Sequence, residues 1–339
     1  MTLKDIAKEA GVSTMTVSNV INGRFDRVSE KTVQHVNEII KKYHYTPNMN
    51  ARSLVSRNSK IVLLIIPLSH NETNMFYSPY ISSLLGIMEY QLRINGYYAM
   101  IRSVYGYDEL DALFKNWPAD GAIFLLPDFD CFLDRILDNI HIPLVFLDSC
   151  HTREDFINIS CDDSKGTYLA TRYLISLEHK RIAFMADYRN SDLLTARFNG
   201  YKKAMDESSL PIDEDLIFEL PPDYEHGITT GQTIAARASE QNPVTAIVTT
   251  SDYCAVGILE GARLGGLKLP DQLSVIGFDD LPFCRYCAPK LTTISQNIED
   301  KATAATTMLI KKMKNETLKQ NKVIIDVQLI ERQSAALPK

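Results

Sequence analysis

Two sets of side chains in this sequence have the types and spacing to do chemistry, and both suit holding a partner rather than breaking a bond. The first lies between Ser13 and Asn22. Val17, Val20 and Ile21 recur at i, i+3, i+4 spacing and face inward, which leaves Thr14, Met15, Ser18 and Asn19 outward. Asn and Thr can hydrogen-bond to base edges, and Met15 offers an apolar contact such as a thymine methyl accepts. Ser13, Thr16 and Asn22 are short polar groups better matched to phosphate oxygens. The second set is Asp148, Arg197, Asp252 and Asp279. Arg197 carries a permanently charged fork that suits paired hydroxyls or a carboxylate. Asp148 and Asp279 each follow an apolar run of strand length. Plainer readings compete: a surface salt bridge for Arg197, and helix caps for Asp252 and Asp279.

Catalytic chemistry finds little support. No Gly-rich phosphate motif follows a strand-like run, and Gly257-x-x-x-Gly261 lies inside a helical stretch with the wrong spacing. There is no nucleophile elbow, and the seven histidines form no ligating cluster. Cys284-x-x-Cys287 is the one metal-like spacing, and it lacks a second pair. The six cysteines are expected as free thiols. No metal, no cofactor and no enzymatic activity are expected.

The elements that must position the first set are helical. Thr2-x-x-Asp5 fits a capping box that opens a helix with Ile6, Ala7 and Ala10 on its inner face. Gly11 supplies the permissive backbone of a sharp turn, and Ser13 can cap a second helix. A third helix is expected from Ser29 to Tyr43, with Val33, Val36, Ile39 and Ile40 inward. An amphipathic helical hairpin alone would be unremarkable; the third helix and the basic charge argue for a helix-turn-helix over residues 1–46. Pro47 stops the third helix. Residues 48–55 have too little apolar face to fold alone, yet they bring Ala51, Arg52 and Leu54 together. Folded on a duplex, such a segment would wedge Leu54 between base pairs with Arg52 near phosphate; a plain tether is the rival reading.

Charge separates this head from the rest. The net charge of −6 argues against a nucleic-acid partner for the chain as one body. Residues 1–60, however, carry ten Lys and Arg against five Asp and Glu, a net of +5, which leaves −11 for the remainder. A basic head on an acidic body is the footprint of a polyanion reader joined to something else. No apolar run reaches the ~18 residues of a membrane span, and Met1 to Ile6 do not read as a secretory signal. A cytoplasmic protein with no membrane partner is expected.

The remaining residues alternate strand and helix. Strand-like runs lie at 60–67, 97–104, 121–126, 143–147, 181–185, 216–219, 245–249 and 273–277. Helical patterns lie at 79–95, 108–116, 130–138, 163–178, 196–208, 227–240 and 253–264. This alternation predicts α/β layers, and the strand number favours two Rossmann-like lobes. A small ligand belongs in a cleft at the carboxyl ends of their strands.

With those residues in view, the head resembles the LacI/GalR family of bacterial transcription regulators. The matches are Asp5-Ile6-Ala7, Ala10-Gly11-Val12-Ser13, Thr16-Val17-Ser18, Val20-Ile21-Asn22, Val28-Ser29, Tyr45-x-Pro47-Asn48 and Ala51-Arg52-Ser53-Leu54. The body is similar to that family's core, with Leu147-Asp148, Asp162-x-x-x-Gly166, Ala196-Arg197-x-x-Gly200-Tyr201, Ser251-Asp252, Leu273 to Asp280 and Pro289 to Gln296. The resemblance covers nearly the whole chain and is weakest over 102–120, which looks shortened.

It implies an all-α helix-turn-helix head, a hinge helix at 47–59, and an α/β core at 60–339 with the type I periplasmic-binding-protein fold. The first lobe would span about 60–158 and 291–322, the second about 159–290 and 323–339. It implies a homodimer on a palindromic operator, with helix 79–95 a candidate for the dimer surface. Thr14, Met15 and Asn19 would set sequence preference, and Asn48, Ala51, Arg52 and Leu54 would enter the minor groove. Asp148, Arg197 and Asp279 match effector-binding positions, and Phe76 and Tyr77 match aromatic positions near that pocket, where core packing is the equal rival. Asp187 to Ser191 lacks the family's usual Gly-Pro, so Arg189 and Ser191 could line the pocket. The function implied is a ligand-responsive repressor of sugar-utilisation genes. Some relatives respond instead to purines or to a phosphoprotein partner, and the acidic body offers no clear docking patch by which to judge the latter; a sugar-binding receptor without a DNA role would share the body, but the head opposes it.

Overall fold

The computed structural model describes residues 2–21, 23–45, 59–68, 75–125, 140–149 and 156–339. The chain divides into two units, Met1–Lys60 and Ile61–Lys339. In the first, α1 (Leu3–Ala10), α2 (Thr14–Ile21) and α3 (Glu30–Lys42) pack around Ile6, Val17 and Val36, each fully buried. The capping box forms: Asp5 Oδ2 accepts from the Thr2 amide at 2.8 Å while the Asp5 amide donates to Thr2 Oγ1 at 3.4 Å. Gly11 closes α1 at φ 65°, a conformation costly for residues with a Cβ. Ser29 caps α3 by accepting from the Thr32 amide at 3.3 Å. Lys42 Nζ and Tyr43 Oη both donate to Glu9 Oε1 at 2.8 Å, tying the end of α3 to α1.

The second unit holds two six-stranded sheets. The first contains β1 (Ile61–Pro67), β2 (Tyr98–Val104), β3 (Gly121–Leu125), β4 (Leu144–Leu147), β5 (Ile157–Cys161) and β11 (Lys322–Ile325), in the order β11-β5-β4-β3-β1-β2. The second contains β6 (Ile182–Met185), β7 (Ile217–Phe218), β8 (Ala246–Thr249), β9 (Ser274–Asp279), β10 (Thr292–Ser295) and β12 (Gln328–Ile330), in the order β12-β10-β9-β8-β6-β7. All pairings are parallel except β10 with β12. Parallel strands need crossovers, so helices cover both faces, and Val62 to Ile66 are buried on either side.

On the first sheet, α4 (Pro79–Ile94) and α10 (Ile298–Met313) bury Leu84, Met88, Ala305 and Leu309, while α5 (Tyr107–Asn116) buries Leu110 against Phe124 and Phe146. On the second, α8 (Tyr224–Ala236) and α9 (Asp252–Leu264) cover one face and α6 (Asp163–Ser176) and α7 (Asp192–Glu207) the other.

Three expected lobe boundaries fall in the wrong place. The division at 158 and 159 cuts through β5, which belongs wholly to the first sheet. Residues 292–295 form β10, which pairs with β9 in the second sheet, although 291–322 were expected in the first lobe. Residues 323–325 continue β11 beside β5 in the first sheet, although the second lobe was expected to begin at 323. Sheet membership is decided by which strands meet in space, as Lys322 meets Asn158, and local pattern does not carry that. The helix expected at 130–138 lies outside the described residues. No described helix is long and apolar enough to cross a membrane.

Candidate functional site

Two surfaces answer to the two residue sets. In the first unit, Ser13, Thr14 and Met15 are exposed, Met15 at 67%, and Thr16 and Ser18 are half-buried. Asn19 corrects the sequence reading: it is 8% exposed rather than outward. The chain folds back after α2, with the Arg24 amide donating to the Asn19 carbonyl at 2.9 Å before the turn Phe25–Arg27. The Ser13 and Thr16 hydroxyls lie 2.9 Å apart, and Ser13 Oγ accepts from the Thr16 amide at 3.1 Å, so both serve the start of α2. Asn22, Asn48, Ala51, Arg52 and Leu54 lie outside the described residues.

In the second unit a cavity of about 630 Å³ opens where the strands of both sheets end. Tyr77, Tyr80 and Asp148 line it from the first lobe, and Arg197, Thr250, Tyr253 and Asp279 from the second, with Gln296 between. Asp148 follows β4 and Asp279 ends β9, at φ 59° and 129°. Backbone in this region is disfavoured for residues with a Cβ and recurs at binding sites.

Beneath the cavity runs a continuous polar network. Lys301 Nζ on α10 lies 2.7 Å from Asp148 Oδ1, both side chains almost wholly buried. Tyr80 Oη donates to Asp148 Oδ2 at 2.5 Å, and Lys301 also donates to Tyr80 Oη at 3.2 Å and to Gln296 Oε1. Those donors fix the amide of Gln296, so its Nε2 donates to Asp279 Oδ1 at 2.5 Å across the lobes. Beside it, Arg197 Nε donates to Asp163 Oδ1 at 2.8 Å, its Nη1 to the Thr250 carbonyl at 2.5 Å, and its guanidinium stacks 3.7 Å from the centre of the Phe278 ring.

Burial pushes the Asp279 carboxyl well above its usual range and the Asp252 carboxylate adds to this, while Arg197 opposes it. Burial and then the Asp148 charge raise the Tyr80 phenol. Burial pulls on the Lys301 ammonium, but Asp148 and its neighbours more than offset it and the group keeps its proton.

Thus Tyr77, Asp148, Arg197 and Asp279 meet as expected, and four others stay out of the lining. Asp252 is fully buried and accepts from the Leu281 amide at 2.8 Å, from Cys284 Sγ at 3.0 Å and from Thr293 Oγ1, so it ties loops together inside the second lobe. Gly277 permits this approach, since a Cβ there would lie 2.3 Å from Asp252 Oδ1. Ser191 caps α7 by accepting from the Leu194 amide at 3.4 Å. Arg189 points to solvent and pairs with Glu219 at 2.9 Å. Phe76 is 46% exposed, and its carbonyl accepts from Ser82 Oγ at 2.7 Å.

Sequence reasoning missed Tyr80, Asp163, Gln296 and Lys301 as site residues. Lys301 left a signal, a lysine beside the apolar positions Ile298, Ala302 and Ala305. Gln296 closes a matched stretch but has no distinctive spacing.

Residues 2–48 match the model of the bacterial regulatory proteins of the lacI family, and residues 171–335 that of the periplasmic binding protein-like domain. The chain is 30% identical to the HTH-type transcriptional regulator DegA of Bacillus subtilis, covering 99% of this chain and 98% of that protein. It is 30% identical to the ribose operon repressor of Haemophilus influenzae, covering 98% of each. Among solved structures it is similar to the lac repressor dimer bound to operator and the anti-inducer ONPF, at TM-score 0.85, 23% identity and 99% of each chain. It is similar also to the transcriptional regulator CelR in complex with cellobiose, at TM-score 0.72 and 26% identity, covering 98% of this chain and 99% of that one.

Proposed function

We propose, from the premise that this chain belongs to the lacI family of bacterial regulatory proteins, that it is a repressor whose cleft takes a neutral polyhydroxylated effector, a sugar. Members of the family are DNA-binding regulators of transcription, not enzymes. The observation that carries the sugar reading is the buried cleft floor of Asp148, Arg197, Asp279 and Gln296. Asp279 has one oxygen committed to Gln296, and Arg197 has its Nε and Nη1 committed, so a second carboxyl oxygen and a guanidinium edge face the cavity together. That pair suits vicinal hydroxyls, which donate and accept at once.

An anionic ligand fits poorly. Asp148, Asp223, Glu225 and Asp279 all line the cavity, and its arginine is already paired with Asp163. Tyr77 and Tyr253 sit at the lining with exposures of 80% and 36%, and aromatic faces suit the C–H surface of a sugar ring. A relative carries the name ribose operon repressor, and a structural neighbour holds cellobiose, which agrees with this class.

In this reading two copies place two heads on a palindrome about one helical turn apart. Thr14 and Met15 reach base edges, and residues 47–59 order on DNA with Leu54 as the wedge. Ordering that segment costs conformational entropy, so a modest effector-induced change between the lobes shifts operator affinity. Because the coupling is reciprocal, operator DNA alters effector affinity by the same factor. The site of action is the bacterial cytoplasm.

Thermal-shift screening of the full chain against sugars, sugar phosphates and nucleobases tests the reading. A saturating ligand at a hundredfold excess over Kd adds about 2.7 kcal/mol of apparent stability. An unphosphorylated sugar is expected to raise the melting temperature, and Arg197→Ala to remove that rise. A rise with nucleobases or sugar phosphates and none with sugars overturns it.

A further inference from the structure

The acidic unit is not acidic everywhere. Lys311, Lys312, Lys314, Lys319 and Lys322 fall within twelve residues, against the single carboxylate of Glu316, in a unit whose net charge is −11. All five lysines are exposed, and none takes part in an ion pair among the described residues, unlike Lys115, Lys165, Lys301 and Lys339. Lys311 and Lys312 lie in the last turn of α10, where cations complement the helix dipole. That explanation does not reach Lys319 and Lys322, which lie beyond the helix.

The fold places this cluster at one edge of the first sheet. A Cβ on Gly121, the first residue of β3, would lie 2.9 Å from both Leu309 Cδ1 and Met313 Sδ, so the last turn of α10 sits over the start of that strand. Lys322 opens β11. The parallel register carries from Asn158 beside Lys322, through Val145 beside Ile157 and Ala122 beside Leu144, to Val62 beside Gly121. Lys322 and Ile61 therefore begin strands at the same sheet edge, four strand spacings or about 19 Å apart. Ile61 is where the chain enters this unit from the helix-turn-helix.

We infer that this basic edge is a second DNA contact, a sequence-independent grip on duplex phosphates separate from the helix-turn-helix. Duplex DNA presents one negative charge per ~1.7 Å of axis, and unpaired lysines replace its condensed counterions. A body of net charge −11 is otherwise repelled by the molecule its own head must hold. A basic surface at the edge where the chain arrives from that head offsets the repulsion there.

The test uses the full-length protein and a labelled 60-base-pair duplex of random sequence, with binding read by anisotropy from 50 to 250 mM KCl. Each lost phosphate contact lowers the slope of log K against log salt by about 0.9. K311Q/K312Q/K314Q/K319Q/K322Q is expected to lower the slope by about 2 or more and to weaken binding at 50 mM at least ~10-fold. The same five positions changed to Arg are expected to retain wild-type slope and affinity, which separates charge from any loss of folding. K180Q/K202Q/K203Q/K268Q/K290Q removes equal charge from the second lobe and is expected to stay within ~2-fold of wild type. Equal losses in the two Gln sets would reduce the effect to net charge and overturn the assignment. An unchanged slope in the first set overturns it directly.

Discussion

Asp148 and Asp279 stand at the ends of β4 and β9 on opposite walls of the cleft, both buried and both at positive φ. Asp148 lies 2.7 Å from the Lys301 ammonium, whereas Asp279 is met by a neutral amide, that of Gln296, at 2.5 Å. The first-lobe wall is thus neutralised from behind by a cation that cannot reach solvent. In the second lobe, Arg197 is near Asp279 but spends its Nε on Asp163, and burial with Asp252 keeps the Asp279 carboxyl well above its usual range. Two carboxyl groups of nearly the same exposure, at φ 59° and 129°, therefore sit in opposite surroundings. One is paired with a buried ammonium; burial makes the other hold its proton more tightly than a free carboxyl. Lone buried carboxylates are costly and protonate instead of staying charged.

Exchange of either member of the Lys301–Asp148 pair is expected to have the largest effect. Lys301→Met or Asp148→Asn leaves its partner buried and uncompensated, a loss of about 3–5 kcal/mol in guanidinium unfolding. The double variant removes both charges and is expected to recover most of that loss. A single variant as stable as wild type would show that the pair is not the counterbalance described. Next comes pH. Burial raises Asp252 to about 6, so the native state binds its proton more tightly than the unfolded chain. Its contribution to stability is present below about pH 4 and is lost as pH rises to about 6, at most ~3 kcal/mol. Asp252→Asn lowers absolute stability, because an amide nitrogen cannot accept the donors that Asp252 holds. It is also expected to flatten this slope in unfolding measured from pH 4 to 6.5; an unaltered slope assigns the titration elsewhere.

Asp279→Asn sharpens the contrast by its sign. The same chemical change that destabilises at 148 is expected to stabilise at 279 by about 1 kcal/mol at pH 7, since no buried cation is left alone. Effector affinity should fall by at least ~10-fold with the lost acceptor. A loss of stability equal to that of Asp148→Asn would make the two walls alike. The smallest effect is expected from Arg189→Ala, which removes an exposed pair with Glu219 outside the cleft. Calorimetric titration of the effector should be unchanged, and a weakened titration would return Arg189 to the pocket.

Short-range order was legible in the residues themselves. Thr2, Asp5, Gly11 and Ser29 set helix ends because their partners lie three or four residues away. The apolar run Ile61–Pro67 announces a strand buried on both faces for the same local reason. Asp279 was legible as a site residue because it ends an apolar strand, and Arg197, inside α7, because of its guanidinium chemistry and its match to the family. Asn19 was expected outward and is buried, and its carbonyl accepts from Arg24 in the turn that follows α2. Asp252 was read as a site residue and is instead claimed by Leu281, Cys284 and Thr293, 29 to 41 residues away.

By itself, then, the sequence determined the helix-turn-helix, the alternation of strand and helix, the charge split and the family to which they belong. Those depend on periodicity, capping and composition, which act over a few residues or over whole segments. Only the tertiary structure decided which lobe owns β5, β10 and β11, and that Lys301 stands behind Asp148 from 153 positions away. Strand pairing and buried charge compensation are set by which groups meet in space, and no local spacing records that meeting.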